Sequence, residues 1–345
     1  MANIFARSPY LIRIAETGQN GSKVELFLSA TTFSASPQYT LSKLIPASNN
    51  VETLYDISPY IREYIRFASC SAGGNASAPN PTTERVNVRV KRYKLVGSTY
   101  TLLDTTDYLA FDGSTYYESG YNFDLGNYGL DAGNYYYNPT SDPGKIRVTG
   151  GASFTAKYTN LSTATFTSLS ISNGTFDIPR VRTTPNELAV GNKVEILNAA
   201  LTVLKTWYFY PLEECKYTPV IIDFVNKYGA WQREFFFKAS NDTFSVENTE
   251  YNLLQTNSYN YNTLEGQRKV FNANGKKSIK VNTGWVAQTW SEVLKQIMLS
   301  ERILIDNKPA KINTKSTELF KHINTKQINY SLDFEFAYDV INSVI

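Results

Sequence analysis

Histidine is nearly absent from this chain: among 345 residues there is one, His322, beside two cysteines (Cys70 and Cys215) and two methionines. Nucleophile–histidine–acid arrangements need an imidazole held against a hydroxyl or thiol. His322, flanked by Lys321, Lys326 and Glu318, reads as a surface-turn residue. Zinc sites need clustered cysteine and histidine. Two widely separated cysteines make neither a cluster nor a disulfide framework, and they read as small buried hydrophobes. The phosphate loop GxxxxGKS/T and a helix-opening GxGxxG are also missing. Asn20-Gly21-Ser22 and Asn274-Gly275-Lys276 read instead as hairpin turns, and Asp104-Thr105-Thr106-Asp107 does not match a calcium loop. The residues thus point away from an enzyme, with no metal and no cofactor.

Long apolar runs are missing as well. No stretch of about 18 apolar residues occurs, and residues 1–9 lack the charged-then-apolar order of a secretory signal. The expectation is synthesis in a cytoplasm with no membrane-spanning segment. Charge is sparse: 19% of residues are charged and the net charge is +3. It is also uneven, because residues 268–326 hold 12 Lys/Arg against 4 Asp/Glu while residues 1–267 hold 22 against 24. Arg268, Lys269, Lys276, Lys277 and Lys280 form the candidate basic lobe, facing solvent, an acidic neighbour or nucleic acid.

What the chain has in excess is aromatic: 25 tyrosines and 19 phenylalanines. Part of this excess follows a strand period. Residues 85–91 alternate Val86, Val88 and Val90 with Arg85, Asn87, Arg89 and Lys91, the pattern of a half-buried strand. Residues 23–28 do the same with Val24, Leu26 and Leu28, and residues 329–336 with Tyr330, Leu332, Phe334 and Phe336. Further strands are expected at 10–15, 100–104, 146–149, 165–171, 194–197, 206–210, 233–239, 278–281 and 303–305. Two helices stand out. One starts at Ser58-Pro59 with Ser58 as cap. The other, over 285–300, carries Val286, Trp290, Val293, Leu294, Ile297 and Met298 at helical spacing, with Trp285 and Trp290 in packing roles. The fold class is mainly β: two related β-sandwich-like modules with one or two covering helices. Lys23-Val24-Glu25-Leu26 recurs as Lys193-Val194-Glu195-Ile196, and Tyr55-Asp56-Ile57 is echoed at 221–224. This places the modules at 1–150 and 151–345.

The remaining tyrosines sit in loops. Residues 112–145 contain Tyr116, Tyr117, Tyr121, Tyr128, Tyr135, Tyr136 and Tyr137 among Gly and Asn; residues 252–262 contain Tyr259 and Tyr261, next to Tyr251. Tyrosine offers a flat apolar face and a polar tip, and Gly/Asn hinges make such loops adaptable contact surfaces. These ten tyrosines are the candidate interaction surface. Sugar stacking is the alternative use, and hydrolysis by Asp112, Glu118 or Asp124 would need two of these acids suitably spaced.

Several segments resemble virion proteins of tailed bacteriophages infecting Bacteroidota, the crAss-like group. They are Thr283-Gly284-Trp285 with the residues to Met298, Leu299-Ser300-Glu301-Arg302-Ile303, Tyr330–Tyr338, Tyr228-Gly229-Ala230-Trp231, Tyr55–Ile61 and Ala110-Phe111-Asp112-Gly113. The resemblance implies a β-rich subunit stacked in a ring of the tail or portal–tail connector, located in the virion. Its implied partners are copies of itself, neighbouring tail and portal proteins, and transiently the passing DNA. The alternative is a carbohydrate- or receptor-binding protein using the same tyrosines.

Overall fold

The computed structural model describes residues 2–46, 52–67, 70, 78–79, 82–114, 120–122, 129–130, 136–150, 152–182, 185–214, 216–253, 264, 266–318 and 327–341. The protein is mainly β, with 57% of the described residues in strands and 8% helical, built as β-sandwich-like modules. Contacts divide the chain into one unit of residues 1–213 and 224–233 and a second of 214–223 and 234–345.

The first unit opens with β1 (Ala2–Phe5), β2 (Leu11–Ala15), β3 (Gly21–Ser29), β4 (Tyr39–Leu44), β5 (Glu52–Asp56), the helix α1 (Ser58–Arg62), the two-residue β6 (Ala78–Pro79), β7 (Val86–Val96) and β8 (Thr99–Phe111). Five of them pair in the order β1-β8-β7-β3-β4, while β2 and β5 form a separate antiparallel ribbon. Alternation turns Val86, Val88 and Val90 of β7 and Val24, Leu26 and Leu28 of β3 to one face. Ile12 and Ile14 of β2, Tyr55 of β5 and Ile61 of α1 complete the same core cluster. Each such aliphatic side chain, fully buried, contributes about 1.5–3 kcal/mol. The opposite face carries charge: Arg89 forks onto Asp107 at 2.7 and 2.9 Å, and Lys23 pairs with Glu25 at 2.7 Å. Arg92, directly opposite Val24, forks onto Asp104 at the end of the core face. In α1 the expected cap is displaced by one residue. Ile57 is the N-cap position, Ser58 is already helical, and Asp56 Oδ1 accepts from both the Ser58 amide (3.1 Å) and its hydroxyl (2.6 Å).

The unit continues with β9 (Tyr136–Tyr137), β10 (Lys145–Gly150), β11 (Phe154–Asn160), β12 (Phe166–Ile171), β13 (Gly174–Pro179), the helix α2 (Pro185–Val190), β14 (Asn192–Leu197) and β15 (Val203–Pro211). These strands repeat the preceding arrangement element by element. The sheet β4-β3-β7-β8-β1 reappears as β12-β11-β14-β15-β9, and the β2–β5 ribbon reappears as the antiparallel pair β10–β13, to which β6 adds. In each sheet the first strand of the module runs parallel to the last, and every other neighbour is antiparallel. A short helix follows β5 in one copy and β13 in the other. Sequence traces survive: Pro9, Ile12, Arg13 and Ile14 recur as Pro143, Ile146, Arg147 and Val148. The related modules therefore span 2–111 and 136–211, instead of dividing the whole chain at 150. A boundary at 150 would fall between β10 and β11, inside a module in which β10 pairs with β13. The Lys23/Lys193 echo aligned β3 with β14, whereas the topological counterpart of β3 is β11. A half-buried strand of alternating charge and apolar residues looks alike wherever it occurs.

Residues 224–233 belong to this first unit. Asn226 holds their turn, donating to Leu130 O at 2.7 Å and accepting from the amides of Tyr228 and Ala230. Ser114 donates from its amide to Lys227 O at 2.7 Å, and Phe5, Leu109, Phe111, Leu130 and Ala230 form a core cluster around the crossing. Gly229 has φ +75°, and a Cβ there would stand 2.8 Å from the Asp112 backbone. Two segments singled out by resemblance, 110–113 and 228–231, thus meet as a backbone crossing.

The second unit contains β16 (Val220–Val225), β17 (Trp231–Phe236), β18 (Asn241–Asn252), β19 (Arg268–Ala287), the helix α3 (Ser291–Leu299), β20 (Ile303–Ile305), β21 (Lys308–Ile312), β22 (Gln327–Phe336) and β23 (Val340–Ile341). The strands β16 and β17 are divided between the units at 223/224 and 233/234. The sheet runs β17-β16-β20-β21-β22-β19-β18, with β23 also on β19. Tyr330, Leu332 and Phe334 of β22 are buried as their alternation requires. The helix begins at 291, not 285: residues 285–287 end β19, paired to Asn329, Ile328 and Gln327. Trp290 packs edge-on to Phe236 at 5.9 Å and near-parallel to Tyr330 at 5.9 Å. Trp285, expected to pack, is 65% exposed. Both glycines read as turns lie within strands: Gly21 opens β3, and Gly275 sits mid-β19 between β18 and β23. A Cβ on Gly275 would meet the Phe244 ring at 2.3 Å, so the glycine serves close approach instead of a turn.

Gly229→Ala adds both a strained φ and a clash with backbone that cannot yield. It is expected to lower stability by about 2 kcal/mol or more, read as a drop in the urea midpoint with unchanged m-value.

Candidate functional site

Six of the ten candidate tyrosines (Tyr116, Tyr117, Tyr128, Tyr135, Tyr259 and Tyr261) lie outside the described residues, as do Glu118, Asp124, Cys215 and His322. Tyr121 is 67% exposed. The Asn122 side chain beside it fastens that turn to β2, exchanging hydrogen bonds with the Leu11 amide and carbonyl at 2.9 Å each. Adjacent Tyr136 and Tyr137 part company because β9 alternates. Tyr136 faces outward, whereas Tyr137 is buried and donates its hydroxyl to Leu188 O at 2.6 Å in α2. Tyr137 therefore leaves the contact surface and joins the core; burial also pushes its phenol pKa up. Tyr136 gains two neighbours absent from the sequence-based set, Tyr208 and Tyr210 on β15. Their strand alternation, with Trp207 and Phe209 buried between, was the available signal.

Tyr251 belongs to the most exposed element of the chain. Strand β18 pairs with β19 from Asn241↔Lys280 to Asn252↔Arg268, and all twelve β18 residues are exposed. At the base of this arm Ile279 and Val281 are buried. The same face continues outward through Phe244, Val246 and Val340, which are exposed by 59%, 52% and 54%. Tyr251 stands edge-on to exposed Phe271 at 6.4 Å. Among the described residues β18 is the open edge; it contains neither Pro nor Lys, the residues that commonly protect such an edge, and carries the acids Asp242, Glu247 and Glu250. All five candidate basic residues lie on β19, but alternation divides them between its faces. Lys276 pairs with Glu247 at 2.8 Å and Lys277 with Asp242 at 3.5 Å. The expected basic lobe is thus a cationic strand, two of whose five charges are paired with acids of β18.

The remaining charged clusters are structural. Asp112, a candidate acid for sugar hydrolysis, is buried and ion-paired to Arg7 at 3.2 Å and Arg62 at 3.3 Å. Arg147 of β10 forks onto Asp177 of β13 (2.8 and 3.1 Å) and reaches Glu84 at 2.6 Å, with Trp231 Nε1 donating to the other Glu84 oxygen at 3.2 Å. Glu84 and Arg147 are 1% and 3% exposed, which leaves a substrate no access. Burial pushes the Glu84 carboxyl above its ordinary range. It works against the Arg147 guanidinium too, but Asp177 and Glu84 outweigh it and hold that pKa up. An apolar cleft of about 290 Å³, lined by Val148, Phe154, Ile196 and Leu204 among others, has no ionisable group in its wall. Cys70 is half-buried instead of buried. Among the described residues no group of three or more His, Cys, Asp or Glu is placed to hold a metal ion, and no helix is long and apolar enough to cross a membrane. No protein-family model matches the chain, nor does any curated protein or solved structure.

Two electrostatic predictions follow from this geometry. Arg147→Met leaves two acids buried without their cation and is expected to cost about 3–5 kcal/mol. Adding Glu84→Gln and Asp177→Asn to it should restore most of that stability in denaturant melts. On β8 of the first module, hydrogen bonds from Arg92 and Arg89 hold the Asp104 and Asp107 carboxyls below their ordinary value of 3.8. A depressed native pKa contributes stability above the ordinary value that is lost as pH falls through the depressed one. The Asp104→Asn/Asp107→Asn double variant should therefore show a flatter fall in urea midpoint below about pH 4.

Proposed function

We propose that this chain is a structural subunit of a bacteriophage virion, at the tail or the portal–tail connector, which assembles into a ring with copies of itself and contributes to the genome-delivery channel. On this reading it works by being held between neighbours and performs no chemistry. The observation that carries the proposal is the β18–β19 arm. A β ribbon that keeps apolar side chains exposed and one edge unpaired gains stability when a partner covers it. The phage assignment rests on the sequence resemblance, and the arm supplies the physical reason for assembly.

Magnitudes favour a closed assembly over an isolated pair. Phe244, Val246, Tyr251 and Val340 are each about half exposed, so covering them yields on the order of 1 kcal/mol apiece. Losing translational and rotational freedom costs ~4–15 kcal/mol. One arm therefore holds a pair weakly. A ring gives each subunit two heterologous contacts, and closure makes them cooperative. Pairing of Lys276 and Lys277 on β19 with Glu247 and Asp242 on β18 suits a wall that DNA passes, since a strongly basic one would hold phosphates and slow transit.

The test is mass photometry and negative-stain microscopy of purified full-length chain across a concentration series. Closed high-order oligomers are expected, and Phe244→Asp/Val246→Asp should return them to monomers while leaving the thermal midpoint within a few degrees. Persistent monomers at every concentration, or oligomers indifferent to the double variant, would remove the arm as the assembling element.

A further inference from the structure

Between the two related modules the outer sheet face differs. In the first, the Arg89–Asp107 fork crosses the face, the Phe5–Leu109–Phe111 cluster covers the β1–β8 end, and Tyr100 at the opposite end of β8 has the Lys23 ammonium over its ring. In the second, the corresponding β9–β15 end presents Tyr136, Tyr210 and Tyr208, each between 41% and 42% exposed. Tyr208 and Tyr210 lie with ring planes within 6° of parallel and centroids 6.3 Å apart, and Tyr136 is 6.1 Å from Tyr210. Strand register extends this row across the sheet: Tyr208 is opposite Lys193, Lys193 opposite Thr159, and Thr159 opposite Phe166, itself 62% exposed. Three inter-strand steps separate the aromatic ends, about 14 Å. The adjoining row carries Thr206, Glu195, Lys157 and Ser168 in the same register.

We infer that this face is a binding platform for an extended, uncharged polysaccharide. A pyranose ring has C–H-lined faces that pack on an aromatic ring and hydroxyl-lined edges that need donors and acceptors. The platform places aromatic rings at its ends and Lys, Thr, Ser and Glu groups between them. Charge selects among candidate ligands. Glu195 pairs with Lys193 at 2.9 Å, and Lys157 lies 4.0 Å from it and over the Phe166 ring at 4.5 Å; these three groups together carry a net charge of only +1, so no row of unpaired cations runs along the face. A nucleic-acid strand needs a positive track for its phosphates as well as stacking rings, and an acidic glycan needs uncompensated cations. Neither is provided. The platform binds without cleaving, because glycoside hydrolysis takes two carboxyls and Glu195 is the one acid in these rows. This inference is independent of ring assembly through β18–β19, which lies in the second unit.

Affinity electrophoresis of the full chain through gels containing neutral glucan, mannan, xylan or galactan tests it, with hyaluronan gels and a single-stranded oligothymidylate as charged probes. Retardation by at least one neutral polysaccharide is expected. Tyr208→Ala/Tyr210→Ala should weaken it by at least about tenfold, the loss of stacked aromatic contacts, whereas Tyr208→Phe/Tyr210→Phe should retain most of it. Phe166→Ser, at the far end of the platform, is a second and separately folding probe, and it too should weaken retardation. The inference is overturned by no retardation in any neutral gel, by retardation that survives both Tyr→Ala and Phe166→Ser, or by binding confined to the charged probes. Capture of a second copy of the chain through the platform, lost in the same variants, would overturn it equally.

Discussion

A β-sheet has two faces, and whatever lies on each must be reconciled with water; this requirement organises the whole chain. In the first module one face of the β1-β8-β7-β3-β4 sheet is apolar and is covered by the β2–β5 ribbon and α1. The other is made compatible with solvent by Arg89–Asp107, directly opposed across β7 and β8, and by Lys23–Glu25 on β3. Exposed pairs of this kind contribute little each, but they let arginine stems lie over apolar surface, as Arg89 does over Phe33 at 4.4 Å.

The second module meets the same requirement with different residues. Its interior takes larger side chains, among them Tyr158, Trp207 and Phe209, and it buries whole arginines. Arg180 donates to Arg233 O at 2.6 Å, and Arg147 is enclosed by two acids. Such groups are costly to desolvate, so removing one partner strands another. They tie backbone segments distant in sequence, including the 224–233 return, to one arrangement.

Legibility from sequence followed this logic. Strands with one wet and one dry face, such as β7 and β22, were readable because alternation is the direct signature of the two-face constraint. Strand β18 was not, since an element exposed on both faces has no alternation to detect. Gly21 and Gly275 were misread because glycine in a turn and glycine admitting a neighbour's close approach leave the same letter. Helix α3 was placed too early because Val286 and Trp290 fit a helical stripe, yet strand pairing with β22 claims residues up to 287. Tyr137 was grouped with loop tyrosines because a two-residue strand is too short to show a period. The two sequence echoes paired strands that do not correspond, because half-buried strands of similar composition look alike; the repeat itself is carried by strand order and by the short trace from Pro9–Ile14 to Pro143–Val148. Of the candidate surface, Tyr121, Tyr136 and Tyr251 were found correctly as exposed, while Tyr208 and Tyr210 were hidden inside a strand.

Duplication explains why unequal faces carry information. Two modules with one topology had the same geometric opportunity to close their outer faces, and the first does so in part with Arg89–Asp107 and Lys23–Glu25. The other, at corresponding strands, keeps tyrosines and a phenylalanine in view and spends its charges on a local Lys–Glu–Lys group. Stability alone does not favour that choice, because partly exposed aromatic rings leave apolar area in water that a charged lattice would shield. The same reasoning applies to the β18–β19 arm, whose core-side face runs past the end of its own core. Both features are surfaces whose cost within the isolated chain is offset only when something else lies against them.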